Sequence, residues 1–404
     1  MTDAHRQNER LREGKINTEK TGTPVELARL FVKLGFTAFG GPAAHIAMME
    51  EEVVTRRKWF THEQFLDMLG VTNLIPGPNS TEMALHIGYR RGGVKGLLVA
   101  GASFILPAML VTILFAAIYT AYGTVPELGT LMRGVRAAII AVILGAVVRL
   151  GKPLLANPFQ VAAGLAVAVL SIFRVDALVL LLASGAAGIA WKERGALRRI
   201  AGALAPVPAA FMPLRALLMQ GTASAARAAE APTLTGLGLF FLKVGSILYG
   251  GGYVLVAFLQ DGLVEGRGWL TQGKLLDAIA VGQFTPGPLL STATFIGYIL
   301  LGVPGAVVST GAIFLPSFIF VLAVGPFVPR LRKSDVMKGF LDGVNAGALG
   351  LMAGVCVTLG IATLPDAAAA VIFAAALLVQ LRWRLNAAWI VAGGAAAGWL
   401  AGLI

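Results

Sequence analysis

The chain has 404 residues, 57% of them hydrophobic and 13% charged, with a mean hydropathy of +0.78 and a net charge of +12. That balance excludes a soluble globular domain, in which about a quarter of residues are charged, and places the chain among polytopic membrane proteins. The positive charge does not point to nucleic acid, because Lys and Arg fall in short clusters between apolar runs, as in loops retained in the cytoplasm.

Residues 1–23 form a polar tail with Arg6, Arg10, Arg12, Lys15 and Lys20 and no apolar core, so the tail is not a secretory signal and is expected in the cytoplasm. A first repeat is expected over 24–192, with apolar segments near 26–48, 65–89, 97–121, 134–150, 158–172 and 176–191. The first segment carries Lys33, the stretch FGGP with Gly40 and Gly41, and His45. The second contains NLIPGPNSTE, where Pro76, Gly77 and Pro78 interrupt an apolar run. Proline removes a backbone donor and clashes with the preceding turn, so one half-helix should stop here and another begin. In hydrocarbon such irregular backbone survives only where it is buried in protein or lines a cavity. The new half-helix opens with Asn79, Ser80 and Thr81, beside unpaired N–H groups and the positive end of the helix dipole, a setting suited to an anion.

Residues 193–233 are rich in Ala and Pro and read as a linker, with room for one weak crossing. A second repeat is expected over 234–404 and carries Lys243, Gly250, Gly251, Gln283, a second Pro286-Gly287-Pro288, then Ser291 and Thr292. The single cysteine, Cys356, lies in an apolar segment and excludes an intramolecular disulfide and a multi-cysteine metal site; no metal and no cofactor are expected.

The two repeats align without a gap from Phe31 to Pro78 and from Phe241 to Pro288, with 16 identities in 48 positions. Loop charge then orients them. Arg56-Arg57-Lys58, Arg90-Arg91 with Lys95, and Arg149 with Lys152 are basic in the first repeat, whereas the matching loops of the second are nearly free of positive charge and Arg330, Arg332, Lys333 and Lys338 crowd a loop whose counterpart is neutral. Positive loops stay inside, so equivalent loops lie on opposite sides. The expected fold class is an all-α polytopic membrane protein of ten to fourteen membrane segments, its two homologous halves forming inverted-topology repeats with broken or re-entrant helices at Pro-Gly-Pro.

Paired breaks in inverted repeats point to a transporter's binding site, against the plainer reading of packing kinks. Asn73 and Gln283, matched and three residues before each break, offer amide donors to an oxyanion. Lys33 and Lys243 suit either snorkelling to headgroups or charge coupling to a substrate. His45 and His86 are titratable candidates for a proton relay, although packed histidines are commoner. Glu82 is a protonation candidate or an ion-pair partner for Arg90 or Arg91, and Asp67 and Asp277 suit structural pairing with basic residues. The double glycines at Gly40-Gly41 and Gly250-Gly251 permit close backbone approach or a further break.

Taken together, Phe39-Gly40-Gly41-Pro42 with His45, the RRKW loop ending at Trp59, NLIPGPNSTE, YGGGYV from Tyr249, GWLT from Gly268 and GQFTPGP from Gly282 resemble the chromate ion transporter family in its long, two-domain form. The resemblance spans about residues 25 to 400. It implies an inner-membrane carrier that exports chromate, a sulfate-like oxyanion, confers chromate resistance and draws on the proton gradient. The chain departs from a strict repeat where Gly252 stands at the position matched to Pro42 and Leu289-Leu290 at the positions matched to Asn79-Ser80, so the half-sites are not equivalent. Implied partners are the oxyanion and the lipid bilayer, with a homodimer open to it. The chain lacks a G-x-x-x-x-G-K-[ST] loop and an H-E-x-x-H helix, which speaks against an ATP-driven pump and against an enzyme. A carrier or channel for sulfate or another small anion is the alternative.

Overall fold

A computed structural model describes residues 23–402 apart from Gly40, 123–125, 194–230, Gly250, Gly251, Tyr253, 325–333, Pro365 and Arg384. The polar tail but for Thr23, the body of the linker, and the candidates Gly40, Gly250 and Gly251 therefore lie outside the described residues. Among the described residues there are fourteen α-helices and no strand. Seven precede the linker: α1 (Pro24–Thr37), α2 (Pro42–Glu50), α3 (His62–Thr72), α4 (Asn79–Tyr122), α5 (Pro126–Gly151), α6 (Pro158–Ile172) and α7 (Ala177–Lys192). Seven follow it: α8 (Leu234–Ile247), α9 (Leu255–Leu259), α10 (Gln272–Phe284), α11 (Thr292–Val324), α12 (Asp335–Thr363), α13 (Ala367–Trp383) and α14 (Ala387–Ala401).

Equivalent helices start on equivalent caps. Thr23 accepts from the Glu26 N–H and Thr233 from Gly236; Thr61 accepts from Gln64 and Thr271 from Lys274. A side-chain oxygen at the N-cap satisfies an orphan helix donor. Both α2 and α9 run on as single π-helical turns, Glu51–Arg56 and Gln260–Glu265. The segment expected at 26–48 is thus two helices, broken at the glycine pair where Gly41 (φ 81°) precedes Pro42. The segment expected at 65–89 is likewise two, broken at Pro-Gly-Pro.

Helix α4 has 44 residues, which as one straight rod would run to about 66 Å, twice the hydrocarbon thickness of about 30 Å. It instead folds back on itself at Gly92 and Gly93 (φ 58°), and α11 does the same at Leu301 and Gly302 (φ 64°). Residues 79–91 and 94–122 pack so closely that a Cβ on Gly88 would collide with the Gly96 carbonyl, and Gly297 and Gly305 repeat the contact. On the long arm, Leu98, Leu106, Leu110 and Leu114 are each about half exposed at spacings of four or eight, an apolar stripe suited to a lipid environment.

The long arms of α4 and α11 cross antiparallel at the centre: Leu97 clusters with Val321, and one turn on Gly101 lies under the Phe318 ring. An antiparallel crossing of equivalent helices is the signature of inverted repeats. The repeats are also interlocked. Helices α6 and α7 pack on α12 of the other repeat, and α13 and α14 on α5. Small residues permit this: Gly339 and Gly343 of α12 meet the α7 backbone at Gly188 and Ser184, Gly347 meets the Ser184 side chain, and Gly134 of α5 meets Gly394 and Gly398 of α14. Backbones that touch through glycine gain close packing where lipid supplies no hydrophobic driving force between helices. One buried apolar cluster accordingly contains residues of both repeats, from Ile105 to Val391.

Candidate functional site

Each Pro-Gly-Pro break is anchored to the opposite repeat. Gly77 (φ 146°) donates its N–H to the Leu248 carbonyl at 2.7 Å, and Gly287 (φ 89°) donates to the Ala38 carbonyl at 2.8 Å. Ala38 and Leu248 are the C-caps of α1 and α8, equivalent by repeat. Both glycines need positive φ, which a Cβ disfavours. The exchange gives a buried donor its acceptor across the repeat boundary, as the low-dielectric interior demands.

Around these anchors the side chains differ. At the first break a Cβ on Gly77 would run into the Glu82 carboxylate and the Ser317 hydroxyl, so Glu82 from the first turn of α4 and Ser317 from α11 converge on this glycine. Glu82 is fully buried, and neither of its carboxylate oxygens has a hydrogen-bond partner; the hydroxyls of Ser317 at the same glycine and of Thr81 are likewise buried and unpartnered. Glu82 therefore does not pair with Arg90 or Arg91. Asn79 donates its amide to Asn73 Oδ1 at 2.9 Å and Asn73 donates to the Leu69 carbonyl at 3.3 Å, linking the two sides of the break on its exposed flank. Ser80 is buried. His86 lies one turn beyond Glu82 on the same helix face, buried, with Nε2 unpartnered.

At the second break Leu289 and Leu290 are buried and the chain makes a 3-10 turn, Leu289–Ser291, before α11. Thr292 spends its hydroxyl on the Leu289 carbonyl at 3.0 Å. Ser291 Oγ and Gln283 Nε2 are buried without partners. A carboxylate has no place here; Ser291 is in register with Glu82 when counted back from the glycines Gly88 and Gly297.

The profile of the Chromate transporter family matches residues 25–189 and again residues 235–399. The chain belongs to the chromate transporter family. Within it, the chain is 30% identical over 397 residues to the chromate transport protein of Cupriavidus metallidurans, covering 96% of each chain. It is 33% identical over 397 residues to the chromate transport protein of Pseudomonas aeruginosa, covering 95% of this chain and 94% of the other. It is 30% identical over 374 residues to the probable chromate transport protein of Synechococcus elongatus, covering 89% and 90%. No solved structure matches. Membership in a family of transporters and helices of membrane-spanning length make this chromate-transporter homologue a multi-pass membrane protein.

The remaining candidates of this chromate transporter family member fall into two groups. His45 is buried with its ring edge-on to Phe104 and beside the Ala38 backbone that anchors Gly287, so it accompanies the second break although it belongs to the first repeat. Lys33 is held away from either break by Glu52 at 2.6 Å, to which Arg56 and Arg57 also reach at 3.4 and 3.3 Å. Its counterpart Lys243 has Gly262 at the position matched to that glutamate and lies within electrostatic reach of Asp261. The matched lysines are therefore not equivalent.

Two features escaped sequence reasoning in part or whole. Asp277, expected to pair with a basic residue, is gripped by Arg136 through two bonds of 2.8 Å and by the Tyr119 hydroxyl at 2.7 Å. Arg136 and Tyr119 come from the first repeat and Asp277 from α10, so the cluster straps the helix before the second break to the opposite repeat. An arginine inside the apolar segment 134–150 was the available signal. Ser317 carries none, since the matched residue is Ala108.

Proposed function

We propose that this protein carries chromate, or an oxyanion of the same shape and charge, out of the cytoplasm across the inner membrane, with proton movement at Glu82 coupled to anion movement at the first break. The single observation that carries the reading is the convergence of Glu82 and Ser317 on Gly77, at the start of a half-helix. The positive end of a helix dipole favours an anion, and here the carboxyl of Glu82 already occupies that position. An isolated buried carboxylate charge is costly, so the group requires a proton, a cation or a donor when no partner is present. A protonated Glu82 leaves the helix end free to hold an oxyanion, while Asn79 and Thr81 supply donors; an ionised Glu82 competes with the same anion. Because the protonated carboxyl is the state that admits the anion, proton and oxyanion are bound and carried together at this break, and interlocked inverted repeats provide two equivalent ways to expose one central site. The relatives named as chromate transport proteins support chromate as the anion. Domain boundaries at 24–192 and 234–404 remain sequence units in this reading, because packing exchanges α6, α7, α13 and α14 between them.

Uptake of labelled chromate into inverted vesicles tests the proposal. Accumulation should require an imposed proton gradient, fall when excess sulfate competes, and drop at least tenfold in Glu82→Gln while chromate binding stays within about twofold, a difference under about 0.5 kcal/mol. Gradient-independent equilibration would replace the carrier with a channel, and transport of sulfate without chromate would reassign the substrate.

A further inference from the structure

The hairpin turn of α4 carries charge that its counterpart in α11 does without. Gly93 and Gly302 make the same left-handed turn, and the glycine contacts behind them are the same. Around the first turn stand Arg90, Arg91 and Lys95; the matched positions of the second are Ile299, Leu300 and Pro304. The three cations are therefore not needed to make the turn. They line a half-open cavity of about 390 Å³ together with Thr23, Pro24 and Leu27 at the start of α1. Within this corner Arg91 Nε is buried with no acceptor, and its guanidinium lies 4.8 Å from the centre of the Trp59 ring, which Arg57 approaches to 5.2 Å. Glu26 offsets part of the charge on Arg91, but its carboxylate is turned to the Thr23 N–H at 3.3 Å. Three cations against one engaged acid leave the cavity electropositive, and a tryptophan beside it is the residue type that settles at the headgroup level of a bilayer.

We propose that this cavity binds a tetrahedral oxyanion group at the membrane surface, supplied either by the phosphate of an anionic lipid headgroup or by a free dianion. Arg91 presents a planar fork that matches two oxygens of such a group, already oriented by the Trp59 face, and Arg90 and Lys95 add charge from the rim. The volume exceeds what one dianion fills and suits a phosphate with part of its headgroup. The site shares no residue with the Gly77 break, and its failure would leave the reading of that break untouched.

Thermal unfolding of the purified full-length protein in neutral detergent tests it, with phosphatidylglycerol, phosphatidylcholine or inorganic phosphate added. Phosphatidylglycerol should raise the midpoint by several degrees while phosphatidylcholine does not, through binding to the native state. An equal rise with inorganic phosphate at millimolar concentration assigns the site to free dianions, and a rise with phosphatidylglycerol alone assigns it to the headgroup. Arg91→Gln should lose the rise, and the exposed Arg149→Gln should keep it. Where Arg91→Gln yields no folded protein, Lys95→Gln at an exposed position should raise the half-saturating additive concentration severalfold. No rise with either additive, or the same rise in the Arg91 and Lys95 variants as in the wild type, overturns the proposal.

Discussion

At the first break Asn73, Pro76 and Asn79 keep some exposure and Glu82 lies buried behind them, whereas at the second every residue from Thr285 to Thr294 is buried. The glycines of both breaks make the same hydrogen bond to the opposite repeat. Duplication has therefore kept the backbone device and let the side chains diverge. The shared part, a positive-φ glycine bonded across the boundary, is what holds the inverted repeats in register. The divergent part, polar and acidic on one side and leucine-capped on the other, is where one break acquires chemistry and the other becomes a fixed wall. Fixing the wall is also the effect of the Arg136–Asp277–Tyr119 cluster, which ties α10 to the first repeat.

The comparison breaks first at its shared part. Gly77→Ala and Gly287→Ala should each abolish transport, because both demand positive φ and both Cβ atoms meet filled space, Glu82 and Ser317 in one case and Ala108 in the other. Transport assays alongside membrane insertion check this, and activity in one variant but not the other would show that the anchors are not equivalent. Asp277→Ala should come next, leaving Arg136 without its buried partner at a cost of about 3 to 5 kcal/mol, seen as a lowered unfolding midpoint. The double change Arg136→Met with Asp277→Leu should recover most of that loss, since an apolar pair of similar volume removes the unpaired charge. A smaller effect is expected from exchanging Ser317→Ala, which gives the first break the side chain its counterpart has. Loss of one hydroxyl donor should weaken apparent chromate affinity by roughly threefold to tenfold.

Much of this architecture was legible in the sequence because it repeats. The matched Pro-Gly-Pro triplets, the double glycines before them and the reversed loop charges each announce themselves twice. What periodicity and repeat alignment do not encode is which helix a face will meet. Gly339, Gly343 and Gly347 advertise a close helix contact, but not that its partner is α7 of the opposite repeat. Ser317 sits at the site for the same reason, brought there by tertiary packing and marked by no local pattern. Glu82 was legible as a candidate through its place in the first turn after the break, and its isolation from Arg90 and Arg91 follows from geometry: those residues lie at the far end of the same half-helix, facing the surface cavity.

The claim that one break binds the anion and the other walls it is tested most directly by measuring apparent chromate affinity for Asn79→Ala, Thr81→Ala and Thr292→Ala in one vesicle preparation. Asn79 and Thr81 offer donors at the open break, and each truncation should weaken affinity roughly tenfold, the size of one hydrogen bond to a charged group at about 1.5 to 3 kcal/mol. Thr292 is already committed to the Leu289 carbonyl, and its truncation should change affinity by no more than about twofold. Equal losses at both breaks, or a larger loss at Thr292, would contradict the account.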